Sequence, residues 1–262
     1  MAGALGVNLA TLDVTSWLRR TREAAADLLF PPKCGGCGEE ISNSGDGVQL
    51  CGGCRDAVQL IEWPVCRRCG APVPATDGVE LACNHCRGVK LRFTRSIALG
   101  SYEGMLRQLV MRMKIDRSER LARILADFSW LELGDQLKRL EVDVVTAVPM
   151  SGWRRLQRGV NPPGAIAERL AGKLGVPAAT GMLRIGRNVG QQVGLSRPAR
   201  FRNVHNEMAV RAGYLMEGAH VLVVDDILTT GATCSEAARA LLKAGAGEVS
   251  VVVLARTPAD GL

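Results

Sequence analysis

Two stretches of this chain carry side chains able to do chemistry. In Val221-Leu-Val-Val-Asp-Asp-Ile-Leu-Thr-Thr-Gly-Ala-Thr233, the aliphatic run Val221 to Val224 has the composition of a buried parallel strand. Asp225 and Asp226 stand where that strand is expected to end. The hydroxyl-rich loop after them opens into a helix expected over Ser235 to Ala244, closed by Gly245. Backbone N–H groups at a helix N-terminus, and the positive end of its dipole, suit a phosphate dianion. Thr229, Thr230 and Thr233 add hydroxyl donors, and Gly231 lets the backbone come close to a ligand. The two carboxylates are placed to accept hydrogen bonds from a ribose diol, or to help hold Mg2+. Strand, acid pair, loop and helix together describe a site for a sugar phosphate. An ordinary strand-to-helix turn with helix-capping acids accounts for one Asp before Thr, but poorly for two acids before Thr-Thr-Gly-Ala-Thr.

The second stretch holds eight of the nine cysteines as four Cys-x-x-Cys pairs: Cys34/Cys37, Cys51/Cys54, Cys66/Cys69 and Cys83/Cys86. Thirteen residues separate the first pair from the second and the third from the fourth, so the unit repeats every 32 residues. Each pair forms a knuckle presenting two thiolates, and two knuckles complete a tetrahedral four-cysteine zinc site. Disulfides compete with this reading, but the chain shows no export signal. A redox Cys-x-x-Cys would be one pair beside a βαβ unit, not four in a row. Pairing within each repeat closes the shorter loops. The expected quartets are therefore Cys34, Cys37, Cys51, Cys54 and Cys66, Cys69, Cys83, Cys86, holding two structural Zn2+ ions. Aliphatic runs between the knuckles are too short for an independent core, so metal must supply folding energy. His85 is expected on the surface, and Cys234 as a small packed residue.

The elements that must position these groups follow a βα rhythm. An amphipathic helix is expected within residues 1–30, the double ribbon over 31–90, and a conventional α/β pattern from Leu91 to 262. The expected strands are Phe93 to Tyr102, Asp143 to Val148, the run at Val221 and Glu248 to Leu254. The expected helices are Glu103 to Lys114, Glu119 to Leu131 and Gly164 to Leu174, the last stopped by Gly175. Strands alternating with helices imply an α/β fold with a mostly parallel sheet and ligands at the carboxyl ends of its strands.

With 47% hydrophobic and 23% charged residues, the composition is that of a folded globular protein. No stretch approaches the ~18 uncharged apolar residues of a membrane span, and no signal peptide is evident, so a cytoplasmic location is expected. The net charge of +7 favours anionic partners. Arg107, Arg112, Lys114, Arg117, Arg120 and Arg123 form one basic cluster, Arg154, Arg155 and Arg158 another. The first reads either as a solvated helix face or as a groove for a single-stranded DNA backbone. Trp63, Phe93, Tyr102 and Trp153 are the aromatics available for base stacking.

Asp225 to Thr233 resembles the phosphoribosyl-pyrophosphate (PRPP) loop of type I phosphoribosyltransferases. With the cysteine-rich N-terminus, the chain from Phe30 to about Arg256 resembles the ComF family, which is associated with bacterial competence and DNA uptake. Three further segments match that family's pattern: Val148-Pro149-Met150-Ser151, Arg154 to Asn161, and Arg187 to Asn203 with Gln191, Gln192, Arg200 and Asn203. The resemblance implies a type I phosphoribosyltransferase-like sheet behind a double zinc ribbon. It implies PRPP bound with Mg2+ through Asp225, Asp226, Leu228, Thr229, Thr230, Gly231, Ala232 and Thr233. The pyrophosphate would lie beside Met150, Ser151, Arg154, Arg158 and Arg200, and the Arg187–Asn203 segment would close over the substrates. Partners implied are PRPP, single-stranded DNA and competence or DNA-uptake proteins. The function implied is phosphoribosyl transfer, or a non-catalytic PRPP- or DNA-binding role. Thr229 stands where purine transferases of this fold carry a base-contacting Asp, which argues against hypoxanthine or guanine as acceptor. Gly159-Val160-Asn161-Pro162-Pro163 departs from the family's usual Gly-Phe-Asn-Gln and weakens that edge of the comparison.

Overall fold

In a computed structural model of the chain, residues 31–41, 45–74, 83, 85–115, 119–150, 160–186 and 196–258 are described. The expected helix within residues 1–30 lies outside them. One turn of helix, α1 (Gly52–Asp56), follows a cysteine knuckle. After it come β1 (Arg95–Ser101), α2 (Gly104–Ile115), α3 (Arg120–Lys138), β2 (Val144–Ala147) and α4 (Pro162–Leu174). The chain continues through β3 (Leu183–Ile185), α5 (Arg197–Val204), β4 (Met208–Val210), β5 (His220–Leu228), α6 (Ala232–Lys243) and β6 (Glu248–Arg256).

Four strands form a parallel sheet in the order β1-β6-β5-β2, and β3 and β4 pair as a separate antiparallel hairpin. Both faces of the sheet are covered, which is why its strands read as near-continuous aliphatic runs. Leu222, Val224, Val252 and Leu254 enter one core with α2, α3 and α4. Val221, Val223, Val251 and Val253 enter the other with α6 and the β3–β4 hairpin.

The cysteine-rich region wraps the β1 edge of this sheet. Its first lobe places Cys34, Val48, Leu50, Cys54 and Val58 in the α2/α3 core. Its second places Cys69, Ala71, Cys83, Cys86, Leu91 and Phe93 in the core on the opposite face. Between the lobes, Ser101 N–H donates to Gln59 O (2.8 Å) and Ile61 N–H to Leu99 O (3.1 Å), so this connection covers the open edge of β1. The approach needs a glycine at position 100, because a Cβ there would stand 2.5 Å from Gln59 O.

Candidate functional site

β5 delivers the acid pair, and it runs further than its aliphatic stretch. The strand does not end at Val224 but continues to Leu228, because β6 supplies partners as far as Arg256. The two acids therefore lie inside a strand, where successive side chains take opposite faces. Asp225 turns toward α6, where Cys234 Sγ donates to its Oδ2 at 3.6 Å and the Asp226 N–H donates to its Oδ1 at 2.9 Å. Asp226 turns the other way and pairs with Lys114 Nζ of α2 at 3.1 Å. Burial pushes the Asp225 carboxyl up to about 7, helped by the charge of Asp226 and opposed by the Asp226 N–H and by Lys114. Cys234 is 1% exposed, and burial and the Asp225 charge raise its thiol well above the ordinary value. It is a packed residue, as expected.

The loop is tighter than its sequence implies. The helix starts at Ala232, not Ser235, because Gly231 turns the chain in the left-handed conformation (φ +80°) and Ser235 N–H donates to Gly231 O at 2.8 Å. Thr230 is 5% exposed, and its Oγ1 accepts from the Ala232 N–H at 3.3 Å, closing the turn on itself. Leu228 and Ala232 are buried, and Thr229 and Thr233 are half-buried. A Cβ on Gly231 would meet Leu91 Cδ2 at 3.0 Å. Beside it, Ser235 Oγ accepts from Arg92 N–H at 3.1 Å. The buried guanidinium of Arg256 fixes the loop from below, with Nη1 donating to Leu228 O (3.0 Å) and Thr229 O (2.7 Å).

β2 lies next to β5 in register, and Val148 N–H donates to Val224 O at 2.9 Å. The turn containing the half-buried Met150 therefore leaves the sheet at the same carboxyl end as the acid pair. Ser151, Arg154 and Arg158 lie outside the described residues, as do residues 187–195. The rest of the segment expected as a closing loop is helical. It forms α5, begun by Pro198 in its first turn, which packs against α6 and carries the half-buried Arg200.

Both cysteine quartets assemble within their own repeats. In each, the four Sγ atoms lie within 4.8 Å of one another. Cys37–Cys51, Cys66–Cys86 and Cys69–Cys83 stand 3.7, 3.8 and 3.6 Å apart. A tetrahedron with Zn–S of about 2.3 Å has edges of about 3.8 Å, so the quartets fit zinc. Burial raises the Cys34 thiol, but N–H donors from Cys51, Cys37 and Gly36 outweigh it and bring it down to about 6. Burial pushes Cys54 up to about 12 and Cys86 up to about 11. Such buried thiols need a cation to be held as thiolates. His85 is half-buried and stands outside the ligand set.

Part of the first basic cluster is engaged by the fold, while Arg107 is exposed. Arg112 donates to Gly36 O (2.6 Å) and Gly35 O (2.5 Å), and Arg120 to Lys33 O (2.9 Å), bracing α2 and α3 against the first knuckle. Both residues are nonetheless exposed. Arg123 pairs with Glu119 at 3.1 Å, and Arg117 lies outside the described residues. Of the aromatics offered for stacking, Phe93 is 2% exposed and belongs to the core, whereas Trp63 is 65% exposed. Trp153 lies outside the described residues.

Sequence reasoning assigned Lys114 to the basic cluster and missed that it neutralises Asp226. It also missed Arg256. The available signal was a single arginine ending the aliphatic run Val251 to Ala255, at the same sheet end as the acids.

Comparison with known proteins bears on the whole assembly. A double zinc ribbon domain matches residues 25–87, and a phosphoribosyl transferase domain matches residues 156–262. The DNA utilization protein YhgH of Salmonella typhimurium is 30% identical over 227 residues, covering 79% of this chain and 97% of that protein. Competence protein F of Haemophilus influenzae is 26% identical over 211 residues, covering 79% and 90%. Competence protein ComFC of Bacillus subtilis is 27% identical over 221 residues, covering 80% and 85%.

Proposed function

This chain belongs to the ComF family of competence and DNA-utilization proteins, and from that premise we propose that it binds PRPP with Mg2+ at the turn between β5 and α6. It has a type I phosphoribosyltransferase-like fold with an N-terminal double zinc ribbon, whose two four-cysteine sites fit structural zinc. Among the described residues, no helix is long and apolar enough to cross a membrane. We assign it a cytoplasmic role in DNA uptake or in nucleotide-related metabolism.

The observation that carries the reading is the loop itself. Two carboxylates at the carboxyl end of a parallel strand are followed by a three-residue turn, with Gly231 left-handed, that leads straight into α6. In this reading Leu228, Thr229, Thr230, Gly231, Ala232 and Thr233 cradle the 5-phosphate at the helix N-terminus. Asp225 and Asp226 take the ribose hydroxyls. Met150, Ser151, Arg154, Arg158 and Arg200 surround the pyrophosphate. Transfer at C1 of the ribose builds positive charge on the ring as pyrophosphate leaves, so the acids and the arginines meet charges of opposite sign. Mg2+, which Asp225 and Asp226 would help to hold, would supply charge neutralisation for the departing pyrophosphate.

Titration calorimetry with PRPP and Mg2+ tests the reading. The wild type should bind, and Asp225→Asn combined with Asp226→Asn should not, with the circular dichroism spectrum unchanged. Wild-type affinity in the double variant would refute it. One observation favours a second, non-catalytic reading, in which the fold binds PRPP or single-stranded DNA for the uptake machinery. Thr229 replaces the acid that would contact a purine, and its carbonyl is already held by Arg256. Isotope exchange between pyrophosphate and PRPP, with a panel of nitrogenous acceptors, separates enzyme from binder.

A further inference from the structure

Arg256 ties the second cysteine quartet to the phosphate loop, and we propose that zinc at Cys66, Cys69, Cys83 and Cys86 and PRPP at the loop strengthen each other's binding, with Arg256 as the positioning residue. The inference rests on the assignment of the loop to PRPP made above.

The guanidinium of Arg256 is buried, the residue being 4% exposed. Its Nε donates to Cys69 O at 3.0 Å, inside a knuckle, while Nη1 donates to Leu228 O and Thr229 O at 3.0 and 2.7 Å, inside the loop. One rigid planar group thus spaces the two backbones. Zinc would fix the knuckle that presents the Cys69 carbonyl, so without metal the buried arginine loses a rigid acceptor and the loop loses its fixed spacing from the knuckle.

Two further links leave the same knuckles. Arg68 Nη2 donates to Leu91 O at 2.9 Å, Leu91 packs on Gly231, and Arg92 N–H donates to Ser235 Oγ at 3.1 Å. Arg197 Nη2, at the start of α5, donates to His85 O. The second lobe therefore supports the loop from beneath and α5 from its start. The first lobe packs on the opposite face, against α2 and α3. Coupling should be confined to one of the two zinc ions, and it must be reciprocal.

The test uses the whole chain with both zinc ions. A zinc-selective chelator is applied with a thiol alkylating reagent, with and without saturating PRPP and Mg2+, and mass spectrometry reads each lobe's cysteines separately. Inorganic pyrophosphate with Mg2+ controls for chelation by the ligand. PRPP should slow alkylation of Cys66, Cys69, Cys83 and Cys86 on the order of tenfold, a typical coupling factor, and leave Cys34, Cys37, Cys51 and Cys54 unchanged. Arg256→Lys keeps the charge but cannot span both backbones. It should retain two zinc ions, lose the PRPP protection and raise the Kd for PRPP by a similar factor. Absence of PRPP binding in the wild type overturns the assignment of the loop itself. Binding without selective protection of the second lobe overturns the coupling, and that measurement does not depend on any variant folding. Protection that persists in Arg256→Lys overturns the role given to Arg256.

Discussion

Replacing Asp225 with asparagine should stabilise the ligand-free protein at alkaline pH while removing its affinity for PRPP. The carboxyl is pushed up to about 7 by burial beside Asp226, against an ordinary value near 3.8. Between these two values the folded state holds a proton that the unfolded chain has released. The unfolded state therefore binds fewer protons, and stability falls as pH rises through that window. At about 1.36 kcal/mol for each tenfold change in proton affinity, the full loss comes to about 4 kcal/mol above pH 8. Asparagine removes this loss, but it accepts less strongly from the Asp226 N–H and from Cys234 Sγ, which costs about 1 kcal/mol each. The variant should thus be more stable by about 2 kcal/mol at pH 8, and no more stable than wild type near pH 4, where both side chains are neutral. Urea unfolding at a series of pH values measures this directly. A wild-type stability that stays flat from pH 5 to 8, or a variant that is weaker at pH 8, would refute the reasoning. The gain in stability with loss of binding would mark Asp225 as a residue kept for its ligand and not for the fold.

Other perturbations act on separate parts of the same assembly. Gly231→Ala places a side chain at φ +80°, costing about 1–2 kcal/mol, and drives its Cβ to 3.0 Å from Leu91. Thermal unfolding should show the loss, and calorimetry a weaker affinity for PRPP. Arg112→Ala removes two hydrogen bonds to the Gly35 and Gly36 carbonyls. It should lower stability by about 1–3 kcal/mol and speed metal loss from the first lobe, measured by cysteine alkylation. The purified protein should contain two zinc ions per chain by elemental analysis, and a strong chelator should unfold residues 34–86. A metal-free folded protein would overturn the ribbon assignment.

The parallel strands were legible because both faces of the sheet are covered, so Val221–Val224 and Val251–Ala255 needed no polar side. The quartets were legible because the repeated spacing makes pairing within each repeat the shorter loop closure, and the thiols meet that way. The extent of β5 was hidden by its own acids. A strand is held by its neighbour's hydrogen bonds, and those of β6 carry Asp225 to Leu228 irrespective of side-chain polarity. The start of α6 was misplaced because the left-handed Gly231 already turns the chain into the helix. β3 and β4 are three residues each, too short for alternation to show, and β3 carries the exposed Arg184. The roles of Lys114 and Arg256 were barely marked in the sequence, that of Arg256 only by its place at the end of an aliphatic run. Their partners, Asp226 for one and Cys69 for the other, are distant in the chain and are chosen by tertiary packing.

The order of strands also bears on how the chain reaches this structure. β6 follows the other three strands of the sheet in sequence, yet it lies between β1 and β5. Until it has been synthesised, β1 has no parallel neighbour, and the hydrophobic faces of β1 and β5 cannot join into one layer. Non-local pairing of this kind is slow and leaves strand edges open during synthesis. The double ribbon emerges well before β6 and can bind zinc through local knuckles. Its inter-lobe segment is then ready to cover the edge of β1 as soon as Gly100 emerges. A nascent chain stopped just before Glu248 should therefore retain its metal and be able to pair β2 with β5, but lack the strand that joins β1 to them, and expose the aliphatic faces that chaperones recognise.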